Sequence, residues 1–109
     1  MKILATIDRK TIDILESVAS SAENAVRREL YKVLWDIPDI ESEILPNMSI
    51  RITFELRSSE IVYFNTDTLE RVLSRYGKVR GKRFSYPEFT PSYTQFTYDI
   101  KCDFEGGGW

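Results

Sequence analysis

Met48-Ser49-Ile50-Arg51-Ile52-Thr53-Phe54-Glu55-Leu56-Arg57 is the most regular segment of the chain. Apolar side chains stand at 48, 50, 52, 54 and 56, and polar ones at 49, 51, 53, 55 and 57. Successive side chains of a strand point to opposite faces, so this period of two predicts a strand with one dry and one wet face. A second segment, 93–104, repeats the pattern: Phe96, Tyr98, Ile100, Cys102 and Phe104 alternate with Gln95, Thr97, Asp99, Lys101 and Asp103. Two half-wet strands need something to cover their dry faces.

Helices on either side of residues 48–57 supply the cover. Over residues 11–36, Leu15, Val18, Ala19, Ala22, Val26, Leu30, Val33 and Leu34 recur at spacings of three and four. That period predicts one long amphipathic helix, stopped by Pro38, with a soft spot at Ser20, where Ser20 and Glu23 match a capping box. Past residue 64, Asn65 or Thr66 caps a short helix whose Leu69, Val72, Leu73 and Tyr76 share a face, and Gly77 is placed as its left-handed stop.

The remaining elements are shorter. Residues 2–7 suit a brief strand or a lead-in to the first helix. Residues 36–47 read as an acidic connection, closed by the turn signal Pro46-Asn47, with Ile37, Ile40, Ile44 and Leu45 packing it down. Ser58-Ser59 turns the chain into a second strand at 60–64, forming a hairpin with 48–57. Residues 79–86 are a basic strand interrupted by Gly81, and 105–109 are a flexible tail ending in Trp109. The expectation is therefore a single α+β domain over 1–109. It has an antiparallel or mixed sheet of four or five strands, two helices on one face, and the order β-α-β-β-α-β-β. The first six elements follow the split βαβ, ferredoxin-like order. The alternative is a helical N-terminus packed on a four-stranded antiparallel meander.

Composition narrows function by exclusion. Among 109 residues there is no histidine and one cysteine. A Ser-His-Asp or Cys-His catalytic set, a histidine-ligated metal and a Cys/His zinc site all need residues the chain lacks. No metal or cofactor is expected, and Cys102 reads as a small buried hydrophobe. The apolar runs are too short to span a bilayer, so a cytoplasmic protein is expected. With 15 basic and 17 acidic residues the net charge is −2, which excludes a strongly basic chain but leaves room for local patches.

Three features can carry an interaction. Arg71, Arg75, Lys78, Arg80, Lys82 and Arg83 are six cations with no acid among them from 71 to 83. Phe84, Tyr86, Phe89, Tyr93, Phe96 and Tyr98 follow. Cations beside rings are the recipe for single-stranded nucleic acid, although Phe96 and Tyr98 also keep the strand alternation and so read as core. The second feature is the acidic strip Asp36, Asp39, Glu41 and Glu43, which suits a basic partner surface or simply a solvated loop. The third is Trp109, an anchor of the kind partner grooves capture.

The resulting expectation is a non-catalytic intracellular binding protein. It would work by protein–protein contact as an adaptor or inhibitor, a profile that small phage proteins blocking a host enzyme often have. The alternative is a single-stranded nucleic-acid-binding module using 71–86. Self-pairing through an exposed edge, 60–64 or 79–86, would give a homodimer.

Overall fold

In the computed structural model the described residues are 2–3, 9–34, 36–57, 65–85 and 93–102. They form β1 (Lys2–Ile3), α1 (Arg9–Tyr31), β2 (Glu41–Ile44), β3 (Ser49–Arg57), α2 (Thr66–Leu73), β4 (Lys78–Ser85) and β5 (Tyr93–Lys101). Four strands, β2 to β5, are antiparallel neighbours, and the two-residue β1 joins β2 in parallel. The spatial order is β1-β2-β3-β5-β4. The α+β class, the antiparallel sheet and the two helices agree with the sequence reading. The sheet order puts the parallel pair β1 and β2 side by side, whereas a split βαβ unit has another strand between them.

The long helix runs without a break through Ser20. Ser17, Ser20 and Ser21 are exposed, while the neighbouring Val18, Ala19 and Ala22 are buried, so packing carries the helix past its soft spot. It ends at Tyr31, earlier than Pro38 requires. Its last bonds tighten to a three-residue spacing, Lys32 N–H to the Glu29 carbonyl and Val33 N–H to that of Leu30. This turn rotates Val33 off the buried face to 41 % exposure and returns Leu34 to the core.

Residues 41–44, expected as part of a connection, are a strand paired with β3 along Glu41↔Thr53 to Ile44↔Ile50. Ser42 stands where an apolar residue belongs, and it is buried because its hydroxyl donates to the Glu23 carboxylate on α1. The turn between β2 and β3 is the anticipated one: Met48 N–H donates to the Leu45 carbonyl at 3.2 Å, with Pro46 and Asn47 between and Met48 at φ 61°. The strand expected at 60–64 lies outside the described residues, as do Tyr86, Phe89, residues 103–109 and hence Trp109.

One core joins both helices to one sheet face. Leu15, Ala19, Ala22, Val26 and Leu30 of α1 and Leu69 and Leu73 of α2 pack with Ile50, Ile52, Phe54, Leu56, Phe96, Tyr98 and Ile100. The other face holds the alternate residues of the same strands.

Candidate interaction surface

The surface of interest begins at α2. Asn65 caps the helix, its side-chain oxygen accepting from Asp67 N–H at 2.9 Å and Thr68 N–H at 3.3 Å. Leu69, Val72 and Leu73 enter the core, which leaves Arg71 pointing outward. Ser74 N–H closes the last turn on the Glu70 carbonyl at 2.9 Å. Arg75 follows, exposed.

The chain then passes through Gly77, which is not the left-handed stop that its position suggested. Its requirement is space. A Cβ there would lie 2.4 Å from the Lys101 carbonyl oxygen and 2.8 Å from Ile100 Cγ2. Glycine lets the α2–β4 connection press against the end of β5. Gly81 has no such constraint, because a Cβ would meet only Asp99, at 3.7 Å or more.

From Lys78 the chain becomes β4, the outermost described strand on its side of the sheet. Its register with β5 is broken once, between Val79 and Gly81, so Arg80 is the extra residue of a bulge. The bulge sets the faces. Val79 opposes Ile100 and packs on the core, and Lys82 and Phe84 oppose Tyr98 and Phe96 on that same helix-covered side. Lys78, Gly81 and Arg83 oppose Lys101, Asp99 and Thr97 on the other side.

The six cations therefore do not make one patch. Lys82 donates to Glu70 of α2 at 2.7 Å, and that carboxylate holds its ammonium above the usual lysine range. Arg71 and Lys78 line a common open groove of about 680 Å³ between α2 and β4, together with Asp67, Glu70, Ser74, Gly77 and Val79. Arg83 is on the sheet face that no described helix covers, hereafter the uncovered face. Arg71, Arg75, Lys78, Arg80 and Arg83 are exposed and have no ion-pair partner among the described residues.

The rings also divide. Phe54, Phe96 and Phe84 lie in one cross-strand row. Phe54 and Phe96 stack at 5.2 Å, and Phe84 meets Phe96 at 5.0 Å with the planes tilted by 59°. Exposure rises along this row from 1 % through 2 % to 47 %, because the helical cover stops short of the edge. Tyr98 is buried, and its hydroxyl has no hydrogen-bond partner among the described residues. Burial, with Glu70 and Asp67 nearby, pushes its ionisation well above the ordinary tyrosine range. Tyr93 is half-buried. Phe84 is thus the only strongly exposed ring among the described members of the expected set.

The acidic strip separates too. Glu41 and Glu43 project from β2 on the uncovered face, opposite Thr53 and Arg51. Asp36 and Asp39 stay exposed in the connection. Asp39 and Glu41 border a cavity of about 340 Å³ with Glu55, Thr53, Tyr93 and Gln95. Among the described residues, no three acids or thiols are grouped to hold a metal ion.

Two pairs were not read as contacts from the sequence. Arg51 and Asp99 form a forked ion pair at 2.8 and 3.2 Å across β3 and β5, which raises the guanidinium pKa. Glu70 neutralises Lys82. Alternation already put Arg51 and Asp99 on wet faces, but only the register makes them neighbours. Cys102 is buried as expected, and burial pushes its thiol up to about 11. Among the described residues, no helix is long and apolar enough to cross a membrane. Comparison with known protein families, curated proteins and solved structures finds no match.

Proposed function

We propose that this is a non-catalytic intracellular protein that acts by protein–protein contact, as an adaptor or inhibitor, through the α2–β4 flank. The observation that carries this reading is the flank itself, with five exposed cations that form no ion pair with a described residue and one exposed ring on the outermost described strand. Rings and arginines at a rim and core of this kind are the usual currency of protein interfaces. The perturbed groups support contact over chemistry. Arg51 and Lys82 are shifted by ion pairs, and Tyr98 and Cys102 by burial. None of the four lines the groove.

A single-stranded nucleic acid is the second reading, favoured by the same cations. It is weakened because stacking needs exposed rings, and Phe96 and Tyr98 are in the core. The cations are also spread over both sides of β4 and the end of α2, not along one track for a phosphate backbone.

Fluorescence anisotropy separates the two readings. Labelled probes are a Glu-rich peptide and a single-stranded oligonucleotide, each titrated with the full chain at low and moderate salt. The expected result is tighter binding of the peptide, lost when Arg71, Arg75, Arg80 and Arg83 are changed to Ala. Tighter binding of the oligonucleotide, with a salt slope near one unit per phosphate contact, overturns it. Binding of neither probe overturns it as well.

A further inference from the structure

We infer that the partner enters as an extended segment of alternating acidic and apolar residues, added to the sheet as a new strand beside β4. This rests on the contact reading above and specifies what is contacted. β4 is the last described strand on its side of the sheet, with no described strand on its outer edge. A strand with only one neighbour presents a row of backbone donors and acceptors along its other side, which is the template for strand addition.

The side chains select the occupant. Past the bulge, β4 keeps unbroken register with β5 from Gly81 to Ser85, about the length of an ordinary strand. Within it the two faces differ. Arg83 stands on the uncovered face with no ion-pair partner among the described residues, while Phe84 stands half-exposed on the helix-covered face. Lys82, also on that face, is already neutralised by Glu70. A segment lying alongside places its successive side chains on alternate faces. Acidic residues on the uncovered side meet Arg83, and apolar residues on the other side cover Phe84. Arg80, set out by the bulge, and Lys78 extend the positive field toward the start of the strand.

The same charges reject a second copy of β4. Two such edges would set Lys78, Arg80 and Arg83 against their own kind, and like charges placed opposite one another destabilise a sheet pair. Lysines, arginines and a bulge are common protection for an outermost strand. Here that protection has a sign, so it excludes cationic and self-pairing strands and admits anionic ones.

The test uses the full chain and three measurements. Hydrogen exchange on the free protein comes first. The expected result is rapid exchange of those β4 amides that do not bond to β5; protection of those amides before any peptide is added overturns the proposal.

The second measurement is anisotropy with a labelled peptide of alternating Glu and Val, against the same peptide N-methylated at alternate residues. N-methylation keeps every charge and removes the donors of one edge. The expected loss is at least ~10-fold, from the two or more backbone hydrogen bonds removed. Equal binding of both peptides overturns strand addition while leaving charge-driven contact intact. Failure of both to bind, with the Glu-rich peptide of the preceding section also silent, sinks the contact reading itself.

The third measurement divides the two faces. Arg83→Ala is expected to reduce binding and its salt dependence, and Phe84→Ala to reduce binding without changing the salt slope. No effect from either substitution overturns the assignment of faces.

Discussion

β5 and β4 are partners in one antiparallel ladder, yet they have opposite fates. β5 lies between β3 and β4 and buries Thr94, Phe96, Thr97, Tyr98 and Ile100. Among the described strands β4 has only β5 beside it, and it leaves Lys78, Arg80, Lys82, Arg83 and Phe84 exposed. Both strands pair in the same way over most of their length. What separates them is place in the sheet. A central strand has two neighbours and a helical cover, so its side chains are committed to the fold. An outer strand has half of its backbone and most of its side chains uncommitted, and those are what a partner can use.

If that contrast is right, equivalent truncations on the two strands differ sharply. Phe96→Ala removes a ring that is 2 % exposed and stacked on Phe54, so it is expected to cost about 3–5 kcal/mol by the usual range for buried rings. Phe84→Ala, at 47 % exposure, is expected to cost clearly less. Urea unfolding of both variants measures this, and equal costs would erase the distinction between centre and edge.

The two glycines sharpen it next. Gly77→Ala forces a methyl onto backbone at 2.4 Å and is expected to cost about 1–3 kcal/mol, as overpacking does. Gly81→Ala on the strand itself is expected to be close to neutral, since its Cβ meets only ordinary contacts. Thermal melts of the pair give the answer, and a reversal would show that the β4 bulge, not the α2–β4 connection, is the tight place.

Alkaline pH probes the buried side of the ladder. Cys102 and Tyr98 are acids whose folded-state pKa is raised by burial, so the folded chain holds protons that the unfolded chain releases. Lys82 acts with the same sign, because its pairing with Glu70 needs the ammonium. Stability is therefore full only well below ~pH 8.5, the midpoint of an unfolded thiol's ionisation. It falls as the pH rises toward the folded thiol's value of about 11. Tyr98→Phe is expected to leave neutral-pH stability unchanged or higher, since its hydroxyl is buried without a described partner, and to make the alkaline decline shallower. Urea midpoints across this pH range check both expectations.

The smallest expected effect is on the edge cations. Arg80→Ala and Arg83→Ala, alone or together, are expected to shift stability by no more than about 0.5 kcal/mol, as surface changes without partners do. A larger loss in calorimetry would mean that these arginines hold the fold together and are not available to a partner.

The central elements were readable from residue order because their signal is local. The periods of 48–57, 93–104 and the two helices state which face of each element is dry, and these faces match the observed core apart from Met48 and Val33, with Phe104 outside the described residues. β2 was hidden, since Glu41-Ser42-Glu43-Ile44 carries one apolar residue and owes its buried Ser42 to Glu23, nineteen positions away. The early end of α1 and the role of Gly77 were likewise set by what packs against them. For the candidate surface, the sequence located the cations but not their division. It could not foresee that Lys82 is neutralised by Glu70 or that a bulge at Arg80 turns Phe84 to the helix-covered face and Arg83 to the other.

By itself, then, the sequence determined the α+β class, the two amphipathic helices, the long alternating strands, and a composition with no histidine and one cysteine. These follow from residue type and spacing, which act over a few positions. Tertiary structure alone decided that β4 is outermost among the described strands, that β2 exists, which cations are spent on ion pairs, and that Phe84 stays exposed while Phe96 and Tyr98 do not. Those depend on which strands become neighbours, and pairing joins residues far apart in sequence through register, which no local period records.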